Sequence, residues 1–163
     1  MTRFCHLLLL TLGLLSTSTL ATHNQIILTL SANTTNSTNV QSIEFTREQL
    51  ASLPTVSVTT SNPWTQGQHV YLGFSAEALL SLAKMTGKTL KITALNDYAT
   101  EIPLTDFIEY GAIFATHMDS QPMGVRHRGP VMVIYPFDTY PEIRNETFYG
   151  RSIWQIRTLQ IID

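Results

Sequence analysis

The stretch "GVRHRGPVMVIYPFD", residues 124–138, places three basic side chains directly before a long apolar run. The run, residues 131–137, has the length and composition of a buried strand. Arg126, His127 and Arg128 stand at its start, in a chain that otherwise uses few charges. Two interpretations are open at this point: a solvated loop that is basic by composition, or a pocket that binds an anion.

The overall composition indicates one domain with a sizeable core. The chain has 163 residues, of which 44% are hydrophobic and 13% are charged, so Thr, Ser, Asn and Gln must cover much of the surface. A formal net charge of -2 gives no reason to expect nucleic acid or an anionic membrane as a partner. The sequence contains no phosphate-binding loop, no glycine-rich dinucleotide fingerprint and no internal repeat.

Short strands separated by a few helices predict a single, mixed, strand-rich α+β domain. Strands are expected at residues 24–30, 40–45, 55–60, 89–95, 112–118 and 131–137, with a last one near the C-terminus. Helices are expected within residues 46–53, 75–87 and 105–111, and a helical turn precedes the last strand. Residues 31–39 are polar and predict a loop.

Helix boundaries carry the clearest local signals. Thr46 and Gln49 have the spacing of a capping box for the first helix, and Pro54 stops it. In the second helix, Ser75 is the expected N-cap and Gly87 the expected end. Its buried side is expected to contain Leu79, Leu80, Leu82 and Ala83.

The first 21 residues have the features of a cleavable secretory signal. Arg3 provides the positive start, residues 7–15 the apolar centre and residues 19–21 a small-residue cleavage site. The apolar run is too short to span a bilayer. We therefore expect a mature domain of residues 22–163, periplasmic or secreted, without a membrane span.

Cysteine usage limits the chemistry of such a mature domain. The only cysteine is Cys5, which would leave with the signal. A disulfide, a cysteine nucleophile and a thiolate metal ligand would then all be missing from the mature chain.

Patterns for catalysis and metal binding are weak elsewhere. His69, His117 and His127 lack the spacing of metal ligands. Ser75 lies in "GFSAE", where Glu77 occupies the position that a nucleophile elbow reserves for glycine, so a helix cap explains this serine better. We predict no catalytic residue and no metal ligand from these patterns.

Arginine usage is more informative. The last 38 residues contain five arginines and no lysine, and guanidinium groups suit planar, bidentate contacts to phosphate or carboxylate. Arg144 and Arg157 are expected to pair with Glu142, Glu146 or Asp163. For Arg128 and Arg151, structural pairing and anion binding both stay open. If the two converge on one anion, they should point into a shared cavity lined by part of residues 59–64, and replacing either by Ala should cost little stability.

Four segments resemble a known family in their order and spacing: "GFSAEALLSLAKMTG", "ALNDYATEIPL", "MDSQPMGVRHRGPVMVIYP" and "RSIWQIRTLQI". From about residue 55 to the C-terminus, the chain resembles the sulfite-oxidase-like, molybdopterin-binding oxidoreductase domain. It is most similar to small, exported, stand-alone members of that family. The resemblance implies the sulfite-oxidase-type fold and molybdopterin as the cofactor.

The resemblance also implies roles for the basic residues. In larger relatives, a basic residue before the Gly-Pro turn and another at the start of the last motif contact the pterin and phosphate of the cofactor. Arg128, together with His127, and Arg151 stand at the corresponding places. Thr60 and Trp64, in the segment "VTTSNPW", complete the candidate cofactor-binding or anion-binding site.

One departure separates this chain from the enzymes of the family. Those enzymes hold molybdenum through a cysteine at the end of a strand, and in some of them a tryptophan follows four residues later. Here Thr60 stands four residues before Trp64, and a neutral hydroxyl is a poor substitute for a soft, anionic thiolate. Molybdenum is therefore not expected, whereas pterin binding without metal stays open.

Three functions follow as alternatives. The first is a non-catalytic exported module that binds a small anionic ligand or a periplasmic partner protein. The second is an active molybdopterin-dependent oxidoreductase with an atypical metal site. The third is a ligand-free domain that acts through protein contacts alone.

Overall fold

The computed structural model describes residues 25–33 and 40–162. This part of the chain contains ten strands and four helices. The strands are β1 (Ile26–Asn33), β2 (Val40–Thr46), β3 (Val56–Asn62), β4 (Thr65–Phe74), β5 (Thr89–Ala94), β6 (Ala99–Pro103), β7 (Ile113–Met118), β8 (Gln121–Pro122), β9 (Met132–Ile134) and β10 (Ile156–Ile162). The helices are α1 (Arg47–Ala51), α2 (Ala76–Ala83), α3 (Leu104–Glu109) and α4 (Glu146–Arg151). Two short 3-10 turns lie at Val125–His127 and Pro141–Ile143.

The strands form two sheets. The first sheet has the order β2-β1-β10-β5-β6 and is mixed, because β1 and β10 run parallel while the other neighbours are antiparallel. The second has the order β3-β4-β7-β8, with β9 also paired to β7, and all its pairs are antiparallel. The α+β, strand-rich domain predicted from the sequence is confirmed.

The apolar run of residues 131–137 lies at the centre of the molecule, and each of its residues is buried. Only Met132–Ile134 pair as a strand with β7. On the other side, the amide of Val133 donates to the carbonyl of Ile153, and the amide of Ile156 donates to the carbonyl of Val131. The run therefore connects the second sheet to the chain that enters β10, which explains its burial despite its short pairing.

Local sequence signals placed most elements correctly. The capping box of α1 is present: Gln49 donates its amide to the hydroxyl of Thr46 and accepts from the amide of Thr46. The predicted strands at β1, β2, β3, β5, β7 and β10 and the predicted helices at α1, α2 and α3 are all confirmed. The expected leader, residues 1–21, and residues 34–39 of the expected loop lie outside the described part. Residues 31–33 of that loop prediction are wrong, because β1 continues through Asn33.

Two details of α2 differ from the prediction. Leu82 is half exposed, and the buried face consists of Ala76, Leu79, Leu80 and Ala83, which follows the i, i+3, i+4, i+7 spacing of one helix face. The helix ends at Ala83 rather than near Gly87. Lys84 takes the left-handed conformation there, and the Met85 amide donates to the Leu80 carbonyl to close the last turn.

The sequence did not predict β4 and β6. Polar residues and two glycines interrupt the alternation in β4, and β6 is only five residues long. Both strands are held by pairing with neighbours, β4 with β3 and β7, and β6 with β5. In residues 25–33 and 40–162, no helix is both long and apolar enough to cross a membrane.

Candidate functional site

A cleft of about 340 Å³ opens where loops of the two sheets meet α4. The turn between β3 and β4 provides Trp64, and the turn between β5 and β6 provides Asn96 and Tyr98. Helix α4 and the segment after it provide Tyr149 and Trp154. Because each wall comes from a different element, the cleft exists only in the folded domain.

Four aromatic side chains line the cleft: Trp64, Tyr98, Tyr149 and Trp154. Trp64 packs edge to face against Trp154, with ring centroids 5.6 Å apart, and against Tyr149 at 6.0 Å. The hydroxyl of Tyr98 donates to the carbonyl of Gly150 at 3.1 Å, which ties the β5–β6 turn to α4. Such mutual packing restricts the rings and presents flat apolar faces in fixed positions.

Arg128 lies against this aromatic group. Its Nη2 donates to the carbonyl of Trp64 at 2.7 Å, and its guanidinium carbon lies 6.0 Å from the ring centroid of Trp154. Within the described residues, Arg128 has no carboxylate partner. Its remaining N–H groups are therefore available to an anion beside the two tryptophans.

The backbone around Arg128 fixes its direction. Arg128 takes the left-handed conformation, with φ of 65°. Its carbonyl accepts from the Gln155 amide at 3.0 Å, and the Gln155 side chain donates to the Val125 carbonyl at 2.8 Å. Arg126 and His127 are exposed on the outer side of this turn. Of the three basic residues that open the stretch at 124–138, Arg128 is the one that contacts residues of the cleft, Trp64 and Trp154, and it lies beside the cleft rather than in its lining.

Arg151 has a different environment from the one expected. Its Nη1 donates to Asp106 at 2.9 Å, and Asp106 is only 5% exposed. Tyr135 donates its hydroxyl to the same carboxylate oxygen at 2.7 Å. Burial is the main cause that raises the pKa of Tyr135, so its hydroxyl stays protonated and keeps donating. Arg151 thus already has an internal anion, shared with a buried tyrosine, and within the described residues it shares no hydrogen-bond or ion-pair partner with Arg128. The shared cavity expected for Arg128 and Arg151 is not formed by these contacts.

Thr60 is fully buried in β3 and does not line the cleft. Its hydroxyl donates to the Ser61 carbonyl at 3.0 Å and accepts from the Asp138 amide at 3.2 Å. The position that the resemblance gives to a metal-binding cysteine is therefore enclosed by backbone in this chain.

Asp138 organises the strand end next to Thr60. It accepts from the Ser61 amide at 2.7 Å, the Ser61 hydroxyl at 2.6 Å and the Gln68 side chain at 3.1 Å, and it pairs with Arg144. The hydrogen bonds from Ser61, aided by Gln68 and Arg144, lower the pKa of Asp138 to about 2. The carboxylate is thus charged at neutral pH and holds the end of β3 against residues 137–144.

The sequence-predicted site residues separate into three places. Trp64 lines the cleft and Arg128 contacts it from beside the cleft, Arg151 lies in the buried pair with Asp106, and Thr60 lies in the network of Asp138. His127 is exposed on the turn. The cleft residues that the sequence prediction missed are Asn96, Tyr98, Tyr149 and Trp154. An available signal was aromatic residues placed outside the strands, within a chain that is only 9% aromatic.

The donor atoms of the site do not fit a molybdenum centre that is held by a cysteine thiolate. The sequence has no cysteine after Cys5, and the hydroxyl of Thr60 is already used twice by the backbone. Among the residues that the structure describes, no group of three or more His, Cys, Asp or Glu side chains is arranged to hold a metal ion. The aromatic rings and Arg128 suit an organic anion instead, because ring packing and charge-assisted hydrogen bonds require no sulfur ligand.

These features define the class of the protein as an α+β domain of the sulfite-oxidase type. A family model described as the oxidoreductase molybdopterin binding domain matches residues 15–139. This is more than half of the chain, and the chain belongs to that family. The match includes Thr60, Trp64 and Arg128 but ends before Arg151 and Trp154.

Among solved structures, the fold is similar to the sulfane dehydrogenase SoxCD from Paracoccus pantotrophus. The TM-score is 0.60 at 18% sequence identity, over 83% of this chain and 38% of that one. At this identity the likeness shows the fold alone, and the chain spans well under half the length of that protein. A search of curated proteins found no match.

Proposed function

We propose that this protein is an exported, non-catalytic member of its family that binds a planar, anionic small molecule of the pterin type in the aromatic cleft. The observation that carries the proposal is the position of Arg128, which has no carboxylate partner in the described residues and lies against Trp64 and Trp154. The flat apolar rings favour a planar ligand, and the guanidinium favours an anionic group at its edge.

The size of the cleft supports a ligand of one fused ring system with a short charged group. Its volume of about 340 Å³ is near the lower end for small-molecule sites. Asn96 and the backbone of α4 add polar groups that can orient such a ring. The family description, which names molybdopterin binding, supports a pterin as the ring system.

The residues at the end of β3 support a role without metal-dependent turnover. Enzymes that the chain resembles use a thiolate there, and this chain has the enclosed hydroxyl of Thr60. No residue in the cleft replaces the thiolate as a soft, anionic donor. We therefore derive no redox step for this chain.

Export is the second part of the proposal. It is supported by the positive start at Arg3, the apolar residues 7–15 and the small residues 19–21. The family match begins at residue 15 and overlaps the end of this segment. Sequencing the N-terminus of the protein from its native cell should give Thr22 or a close neighbour. Cytosolic protein that retains Met1 would contradict export.

Ligand binding can be followed by the protein's own fluorescence. The chain has two tryptophans, and both line the cleft, so tryptophan emission reports directly on this site. Titration with pterin-6-carboxylate, checked by calorimetry, should show saturable quenching. Arg128→Ala should weaken binding about tenfold or more, because a charge-assisted contact is lost. Arg128→Lys should also weaken it, because the planar fork is lost.

The matched control is Arg47→Ala, which removes an exposed arginine that, unlike Arg128, makes no hydrogen bond to a residue of the cleft within the described part of the chain. It should bind pterin-6-carboxylate as tightly as the unmodified protein. Equal affinity of the Arg128 and Arg47 variants would contradict the proposed site. Stoichiometric molybdenum together with turnover of sulfite or a sulfoxide would instead support the alternative of an active enzyme with an atypical metal site.

A further inference from the structure

A second cavity, of about 160 Å³, lies between α1, β4 and β7, and no residue is shared between its lining and that of the aromatic cleft. Its inner wall is apolar, with Leu50, Leu53 and Phe74 all buried. Its polar lining consists of Arg47, Thr55, Thr116 and His117. The cavity therefore has an apolar interior and a polar, cationic side.

The volume sets the size of what the apolar part can hold. An apolar cavity of about 150 Å³ accommodates a benzene ring in another protein. The present cavity is of similar size, and its apolar wall consists of the same types of side chain. A single six-membered ring, or a branched chain of similar volume, fits this space.

An irregularity in the sheet directs two polar side chains to the cavity. Leu72 pairs with His117 and Gly73 pairs with Ala115, so Thr116 is an extra residue in β7. In a regular strand, Thr116 and His117 would point to opposite faces, but the bulge lets both line one cavity.

Gly73 is required for this arrangement. A Cβ atom at residue 73 would lie 1.9 Å from the carbonyl oxygen of Phe114, so only glycine permits the close approach of β4 to β7 beside the bulge.

The two basic groups at the cavity are not committed elsewhere. Arg47 is exposed and makes no ion pair within the described residues. The Nδ1 atom of half-buried His117 lies 2.9 Å from the hydroxyl of Thr116. This contact orients the ring, and Nε2 of His117 has no hydrogen-bond partner in the part of the chain that the structure describes.

We propose that this cavity binds a small hydrophobic monocarboxylate, with its apolar body among Leu50, Leu53 and Phe74 and its carboxylate at Arg47 and His117. Arginine provides the charge, and the oriented imidazole provides a second contact to the carboxylate. The apolar lining selects against larger or strongly hydrated anions such as phosphate. The site is independent of the aromatic cleft and of the function proposed for it.

Benzoate is the probe that matches both features, and benzyl alcohol is its uncharged counterpart. NMR titration and calorimetry on the protein as isolated should show saturable benzoate binding, with benzyl alcohol weaker by about tenfold or more. Arg47→Ala and His117→Gln should each weaken benzoate binding while leaving benzyl alcohol nearly unchanged. Thr55→Trp should abolish binding of both, because an exposed residue that lines the cavity is replaced by one that fills it.

Arg126→Ala is the matched control, because this exposed arginine lines neither cavity, and benzoate should bind to it as to the unmodified protein. Circular dichroism of each variant separates loss of binding from loss of fold. Lack of saturable benzoate binding at millimolar concentration would overturn the proposal. Equal benzoate affinity of the unmodified protein, Arg47→Ala and His117→Gln would also overturn it. Failure here, with pterin-6-carboxylate still bound at the cleft, would leave the proposed function intact.

Discussion

At the scale of single residues, Arg128 and Arg151 carry the same charge in different surroundings. Arg128 donates to a backbone carbonyl and lies against Trp154, whereas Arg151 neutralises a buried carboxylate. An arginine that donates to a carbonyl can still bind an external anion. An arginine paired with a buried aspartate contributes to stability, because its loss leaves that charge uncompensated.

Replacing Arg151 by Ala should therefore destabilise the domain strongly. The expected loss is about 3–5 kcal/mol, because Asp106 would keep a buried charge without its partner. Arg157→Ala is the matched control, since Arg157 and Asp97 form an exposed pair that should contribute only about 0–1 kcal/mol. Urea unfolding measures both. Similar losses in the free energy of unfolding for the two variants would contradict the structural role of Arg151. They would instead agree with the small loss that the sequence analysis expects for an anion-binding arginine.

Asp138 gives the domain a defined acid sensitivity. Because its pKa is lowered to about 2 from an ordinary value of 3.8, its stabilising effect is fully present above about pH 4. It is lost as the pH falls from there through about 2, where the folded-state carboxylate takes up a proton. Asp138→Asn should lower stability at pH 7 by about 1–3 kcal/mol and should flatten the dependence of stability on pH in that window. Chemical unfolding at each pH measures this. If the stability of Asp138→Asn falls between about pH 4 and pH 2 as steeply as that of the unmodified protein, the assignment is wrong.

Thr60→Cys tests the enclosed strand end. The new thiol would occupy a fully buried position between the Ser61 carbonyl and the Asp138 amide, so it should not bring molybdenum into the chain. Elemental analysis after expression in a host that makes the molybdenum cofactor is the measurement. Stoichiometric metal in this variant alone would show that only the missing thiol separates this chain from the enzymes of its family.

At the scale of elements, α2 shows how a helical face is selected. Leu79 is 1% exposed and Leu82 is 50% exposed, although the two residues are three apart in one helix. Leu79→Ala should cost about 2–5 kcal/mol, because it leaves a cavity in the core. Leu82→Ala should change stability by less than about 0.5 kcal/mol. Thermal or urea unfolding of the pair checks the face directly, and equal losses would contradict it.

Elements with local signals were predictable, and those held by long-range pairing were not. The capping box at Thr46 and Gln49 and the cap at Ser75 are read within four residues of sequence. Strands β4 and β6 have weak alternation and depend on pairing with other strands. The same limit applies to the site. Arg151 and Asp106 are 45 residues apart, and Ser61 and Asp138 are 77 apart, so no local pattern joined them.

At the scale of the whole molecule, the aromatic cleft and the second cavity have separate linings, in a domain whose family is described as molybdopterin binding. The resemblance correctly gave the fold and the family, because the spacing of its motifs reflects the architecture. It could not show which basic residues of the site are paired internally and which can bind a ligand. Whether Arg128 is available and Arg151 is paired depends on side chains that come together only in the folded domain.

The most direct test of the central claim is native mass spectrometry, with elemental analysis, of the protein purified from its native cell. We predict that a small heteroaromatic anion of the pterin type copurifies with the unmodified protein, is lost from Arg128→Ala, and is not accompanied by molybdenum. The result that would contradict the account is one molybdenum per chain, or a copurifying ligand that Arg128→Ala retains in full.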